Sequence, residues 1–216
     1  MEDKMSSDNG TYILQTYGPE YRVMHMQAID NIYGTYIPES GKYVPNSKSI
    51  GLLGPSGSGK TTFAKELAEL LNMGFADIDE LIEKNEGKSI STIFSVNGES
   101  YFRKKETEVL RSTTTLNNTV IAAGGGLPCH DGNMDWMNEN GLTVYLKLFD
   151  GELAERLLPE QSSRPLIAHL TSEELNSFVY NTLRERVYYY HKAQVVICPV
   201  FFTPGHLASM ITEENI

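Results

Sequence analysis

From Lys48 onward the chain predicts an α/β fold, a mostly parallel sheet covered by helices. Three observations carry that expectation. Short apolar runs of strand composition alternate with segments of helical period. The first run, residues 50–53, leads into Gly54-Pro55-Ser56-Gly57-Ser58-Gly59-Lys60-Thr61, a G-x-x-x-x-G-K-T loop. A helical pattern of Phe63, Ala64, Leu67, Ala68 and Leu71 follows at once. The residue types of the loop suit a phosphate. Its glycines free the backbone to turn several N–H groups onto one anion, at the positive end of the next helix. Lys60 adds a point charge for the β- and γ-phosphates, and Thr61 offers a hydroxyl to Mg²⁺. A nucleoside triphosphate is the predicted ligand, held by Gly54, Gly57, Ser58, Gly59, Lys60, Thr61 and Thr62.

The remaining elements follow in order. Residues 60–72 form the first helix and 74–79 a short strand ending in carboxylates. Short helices over 80–85 and 89–96 break at Gly87 and Gly98. A long helix over 99–116 turns Phe102, Val109, Leu110 and Leu116 inward. Residues 119–123 form a buried strand that runs into Gly124-Gly125-Gly126. Further strands are expected over 142–146 and 194–198, and helices over 150–158 and 172–191. Between the last two helices, residues 159–169 are polar, Pro-bounded and long enough for a flap. Thr203-Pro204 starts a final short helix. Residues 1–47 read as a separate extension, rich in tyrosine and broken by prolines. Residues 11–17 and 21–26 within it have strand composition, with a Gly18-Pro19 turn between them.

The 216 residues suit one domain with some decoration. A net charge of −10 argues against nucleic acid as a partner, but not against a small anion met by a local cluster of arginines. Cys129 and Cys198 lack metal-ligand or disulfide spacing and read as free thiols of a reducing compartment. No signal segment or membrane-length run is found, so a cytoplasmic protein is expected.

Asp77 and Asp79 close the strand after the P-loop helix, where ligands of such sheets bind. Strand alternation would point both side chains the same way. One carboxylate suits Mg²⁺ and the other suits orienting or deprotonating an acceptor hydroxyl. Because the 119–123 strand ends in no acid, Asp77 is the magnesium candidate. Gly124–Gly126 reads equally as a tight turn or as a backbone wall for a flat ring. Guanidinium pairs with carboxylate through two N–H bonds in one plane. If two of Arg103, Arg164 and Arg186 converge, the substrate carries a carboxylate.

These segments together resemble the shikimate kinase family, from about Lys48 to Cys198. The resemblance is carried by the P-loop, by Asp77-Ile78-Asp79, and by Gly87-Lys88-Ser89-Ile90-Ser91-Thr92-Ile93-Phe94 with Gly98-Glu99-Ser100-Tyr101-Phe102-Arg103. Gly124-Gly125-Gly126, Arg164-Pro165-Leu166, and Arg186 with Tyr190 complete the set. It implies a three-layer P-loop kinase fold: a five-stranded parallel sheet in order 2-3-1-4-5, with helices on both faces and a lid. It further implies transfer of the γ-phosphoryl group of ATP, with Mg²⁺, to the 3-hydroxyl of shikimate. Asp79 would then engage the ring hydroxyls and serve the attacking oxygen. Arg103 and Arg186 would grip the carboxylate, and Gly125 and Gly126 would contact the ring. Arg164 would close from the lid onto the phosphoryl, and Arg156 would flank the adenine. Lys60, Thr61 and Asp77 would serve phosphates and magnesium. The rival readings are a gluconate-kinase-like enzyme of the same fold and a nucleotide-binding module that has lost catalysis. A monomer is expected, with a dimer through the extension as the alternative. Two features depart from the family pattern: residues 1–47 have no counterpart, and the lid stretch Pro159-Glu160-Gln161-Ser162-Ser163 is unusually acidic and polar.

Overall fold

Five strands make one parallel sheet: β1 (Ser49–Leu53), β2 (Gly74–Asp77), β3 (Thr119–Ala122), β4 (Gly141–Leu146) and β5 (Val195–Ile197). The computed structural model describes residues 49–164 and 166–213 and, upstream of these, the backbone of five two-residue strands. The sheet order is β2-β3-β1-β4-β5, all neighbours parallel, as the family resemblance implies. In the upstream strands Thr11–Tyr12 pairs antiparallel with Met24–His25; the Gly18-Pro19 turn lies outside the described residues.

Buried on both faces, the central strand β1 carries Ile50 and Leu52 toward one layer and Leu53 toward the other. The first layer is closed by α1 (Lys60–Leu71) and α8 (Pro204–Glu213), which bring Leu67 and Leu207 onto the sheet. The second holds α2 (Ile78–Glu86), α3 (Ile90–Asn97), α4 (Glu99–Ser112) and α5 (Asn133–Asn140), packed through Ile82, Ile93, Leu110 and Met134. A third cluster joins α6 (Asp150–Leu157) to α7 (Ser172–Tyr190) through Leu153, Leu157, Leu175 and Val179, with Ile167 of the flap seated on it.

Three local expectations need correction. The helix expected over 99–116 stops at Ser112 and tightens into a 3-10 turn, Thr113–Thr115. The hydroxyls of Thr113, Thr114 and Thr115 each donate to the carbonyl three residues back, at 2.7, 3.0 and 3.1 Å. Such back-bonding by successive β-branched residues competes with the helix ladder. Leu116, expected inward, is consequently exposed. Second, α5 and a 3-10 turn at Leu127–Cys129 occupy a stretch where no element is expected. Third, β2 ends at Asp77 and α2 begins at Ile78, so Asp79 lies in a helical turn and not on the strand. Asp77 is the N-cap of α2, its Oδ1 accepting from the Asp79 N–H at 2.9 Å.

Leu52 is wholly buried in the middle strand. Replacing it by alanine is expected to cost about 3 kcal/mol of stability through lost burial and an unfilled cavity. Urea titration reads this as a lower midpoint with an unchanged slope; an unmoved midpoint would contradict the packing described.

Candidate active site

The C-terminal ends of β1, β2 and β3 open on a cavity of about 400 Å³. Its wall includes Ser56 of the P-loop, Asp79, Arg103, Glu106, Gly124–Gly126, Arg164 and Arg186. Side chains from five separate stretches, with the glycine turn, therefore meet at the rim where parallel sheets of this kind bind ligands.

On the phosphate side the chain leaves β1 and turns back on itself, with the Ser58 N–H donating to Pro55 O at 3.2 Å. Gly57 and Gly59 sit at φ of 83° and 86°, a region that side chains disfavour. Lys60 lies across the loop, its Nζ donating to Pro55 O at 2.8 Å. Burial pulls its pKa down to about 8, with Asp79 working in the other direction. The Ser58 hydroxyl is buried with no hydrogen-bond partner among the described residues. Thr61 Oγ1 donates to Asp77 Oδ2 at 2.8 Å, which brings the two magnesium candidates together. Thr62 is exposed at the start of α1. Arg156 stands beside the loop: a Cβ on Gly59 would lie 3.8 Å from its Nη1.

Arg103 and Arg186 line the same cavity. Arg103 is held from its own helix, Nη1 donating to Glu106 Oε2 at 2.6 Å and Nη2 to Glu99 Oε1 at 2.8 Å. With the Nε bond to Glu99, three of its five N–H groups are used within the protein. Burial opposes its charge, but the Glu106 and Glu99 carboxylates outweigh burial and raise its pKa. Asp79 has its pKa raised by burial and by the neighbouring Asp77, against the pull of Lys60, Arg103 and Arg164.

The glycine triplet, evenly balanced between turn and wall, proves to be a matter of close approach. None of the three takes a left-handed φ. A Cβ on Gly124 would strike Glu106 Oε1 and come within 3.3 Å of Asp79 Oδ1; on Gly126 it would lie 2.5 Å from Arg103 Nη1. On Gly125 it would press the Ser56 N–H at 3.1 Å. Charged groups occupy the space a side chain would need at Gly124 and Gly126, and the P-loop crowds it at Gly125.

Arg164 reaches the cavity from the flap, which is a 3-10 turn over Leu158–Ser163 followed by turns to Leu170. Its Nη2 donates to Glu160 Oε2 at 2.5 Å, while its Nε is buried without a partner among the described residues. Gln161 braces the segment, its amide donating to the carbonyls of Ile167 and Leu170 at 2.8 and 2.6 Å.

One residue at this site is absent from those singled out by sequence, and another is given no role there. Glu106 is 1% exposed, and burial pushes its pKa up to about 7 despite Arg103. It falls four residues after Phe102 and three before Val109, on the inward face of α4, so helical spacing alone marks it as an acid in a core position. Tyr190, noted only as part of a motif, donates its hydroxyl to Gly125 O at 2.7 Å. Cys129 and Cys198 are free, half-buried and buried respectively. No helix among the described residues is long and apolar enough to cross a membrane.

Known proteins place this geometry in a family. The model of the family described as shikimate kinase matches residues 56–212. The shikimate kinase of Parabacteroides distasonis is 40% identical over 169 residues, 78% of this chain and 93% of its own length. That of Azobacteroides pseudotrichonymphae is 43% identical over 150 residues, 69% of this chain and 88% of its own. Among solved structures, shikimate kinase from Acinetobacter baumannii in complex with shikimate is 33% identical, with a TM-score of 0.69, covering 77% of this chain and 91% of that one. The enzyme from Bacteroides thetaiotaomicron is 36% identical, with a TM-score of 0.67, covering 70% and 86%. With the model spanning most of its length, this chain belongs to the shikimate kinase family.

Proposed function

We propose that this chain transfers the γ-phosphoryl group of ATP to the 3-hydroxyl of shikimate, giving shikimate 3-phosphate and ADP. The observation that carries the reading is the meeting of Arg103, Arg164 and Arg186 with Asp79 in one cavity beside the P-loop. An anionic substrate with a nearby hydroxyl suits that set, since guanidinium groups pair with carboxylate and a carboxylate serves a hydroxyl.

The residues of the loop fit a triphosphate. Among the described residues Ser58 brings a buried hydroxyl lacking a partner, and Lys60 a cation whose Nζ donates to the Pro55 carbonyl. Thr61 and Asp77 fit Mg²⁺, whose preferred ligands are hard oxygens of this kind. The ion, when bound, neutralises charge that builds on the phosphate oxygens. Arg103 and Arg186 hold the shikimate carboxylate, and the backbone of Gly125 and Gly126 lies along the ring. Asp79 orients the 3-hydroxyl and receives its proton as the oxygen bonds to phosphorus and the bond to the β-phosphate oxygen breaks. A raised pKa makes it the better base for that step. Arg164 brings an N–H that has no partner among the described residues to the transferring phosphoryl, where preorganised donors act most strongly. Arg156, beside Gly59, flanks the adenine. Residues 48–216 form the catalytic unit and 1–47 an extension to it.

Purified protein with ATP and Mg²⁺ is expected to release ADP in a coupled assay only when shikimate is added. Release with gluconate instead, or without any acceptor, would overturn the assignment. Arg164→Ala is expected to cost about 3 kcal/mol of transition-state stabilisation, roughly a hundredfold in kcat, by analogy with loss of one oxyanion donor. Its KM for ATP should move much less, and undiminished turnover would remove Arg164 from the chemistry. Glu106 supplies a pH dependence. Its pKa is 4.5 ordinarily and about 7 in the fold. Between those values the folded chain keeps a proton that the unfolded chain releases, so stability falls as pH rises through that window. Glu106→Gln is expected to flatten this fall in urea melts between pH 5 and 8, and equal slopes in both proteins would speak against a buried, strained carboxylate.

A further inference from the structure

We infer that Tyr190 is a positioning residue for the acid-binding half of the site, its hydroxyl tying the Gly125 carbonyl to the helix that carries Arg186. The inference rests on the function proposed above. It deepens that reading by naming what holds the glycine wall and the carboxylate grip in a common frame.

Tyr190 closes α7, and no part of it is exposed. Its ring lies against Tyr145 of β4, centroids 5.1 Å apart and tilted by 33°. The hydroxyl crosses 65 positions of sequence to donate to Gly125 O at 2.7 Å. Arg186 stands one helical turn earlier on the same helix. The phenol hydroxyl donates to the carbonyl of the glycine turn, so the helix that bears Arg186 is bonded to that turn. Phenylalanine fills the same space and makes no such bond.

The need for such a fixed point follows from Gly124–Gly126. Three consecutive glycines carry the greatest backbone freedom a chain can have, and no side chain of their own pins them. Glu106 and Asp79 press on Gly124, Arg103 on Gly126, and Ser56 of the P-loop on Gly125. All of those approaches come from charged or loop groups that must also answer to ligands. Tyr190 approaches from the packed side instead, anchored in the second core layer. Its hydroxyl bond therefore sets where the turn stands relative to Arg186, and so where a ring and its carboxylate would sit.

The experiment compares the full chain with Tyr190→Phe in steady-state kinetics, adding calorimetric titration with shikimate and a thermal melt. Loss of one buried neutral hydrogen bond sets the scale, so KM and Kd for shikimate are expected to rise about three- to tenfold. The KM for ATP and kcat should stay within about twofold of the unsubstituted protein, because the P-loop and Asp79 are untouched. A purely space-filling tyrosine predicts an unchanged KM for shikimate, and that result overturns the inference. So does a parallel loss in both KM values, or a variant that unfolds at the assay temperature, since either makes Tyr190 a residue of the core alone. If the unsubstituted chain phosphorylates shikimate and only the Tyr190 effect is missing, this inference fails by itself. If the unsubstituted chain ignores shikimate, the proposed function fails and takes the inference with it.

Discussion

Glu106 stays in the interior as a partner for Arg103 only because the guanidinium stands 2.6 Å from it. Burial alone would hold it neutral, and its raised pKa shows how closely the opposing effects are matched. Much of the site depends on that pair. It sets Arg103 at a fixed angle on α4, with Glu99 bracing the other side of the guanidinium. It also claims the space above the turn after β3, which leaves room there for no residue larger than glycine. An ion pair so deeply buried is poor value as a stabiliser, since desolvation of two charges rivals their attraction. Its worth lies in geometry: it holds a cation ready at a cavity wall before any ligand arrives.

The sheet supplies the frame. With β1 in the centre, the P-loop emerges between the ends of β3 and β4, and the α2 N-terminus sits one strand beyond β3. Asp77, as cap of α2, lies within reach of Thr61 at the start of α1. The P-loop and the arginine-lined pocket thus share one edge, separated by little more than the glycine turn. Desolvated charge accumulates there: Lys60 is pushed toward neutrality by burial, as are Asp79 and Glu106. A site that keeps several charges partly dry is costly to the free protein and well matched to ligands that bring opposite charge.

Much of this was legible in the chain because it is local. The P-loop, the D-x-D pair and the alternation of strands with helices are readable over short windows, since backbone geometry over a few residues dictates residue type. Less local features were misjudged or unseen. Helix α4 was drawn four residues too long because apolar period says nothing of threonine hydroxyls that bond back onto the helix. Helix α5 was missed because eight residues with two buried methionines give little periodic signal. Asp79 was placed on a strand, while the cap formed by Asp77 turns the chain into a helix one residue before it.

What the amino-acid order settled alone was the phosphate loop, the α/β alternation and a short list of charged residues able to meet an anionic substrate. Only the tertiary structure decided that Arg103, Arg164 and Arg186 face one cavity, that the three glycines are small for want of space, and that Tyr190 ties its helix to their turn. The physical reason is distance along the chain. A loop that wraps an anion is specified by its own backbone, whereas a contact across 65 positions exists only after the sheet has brought its ends together.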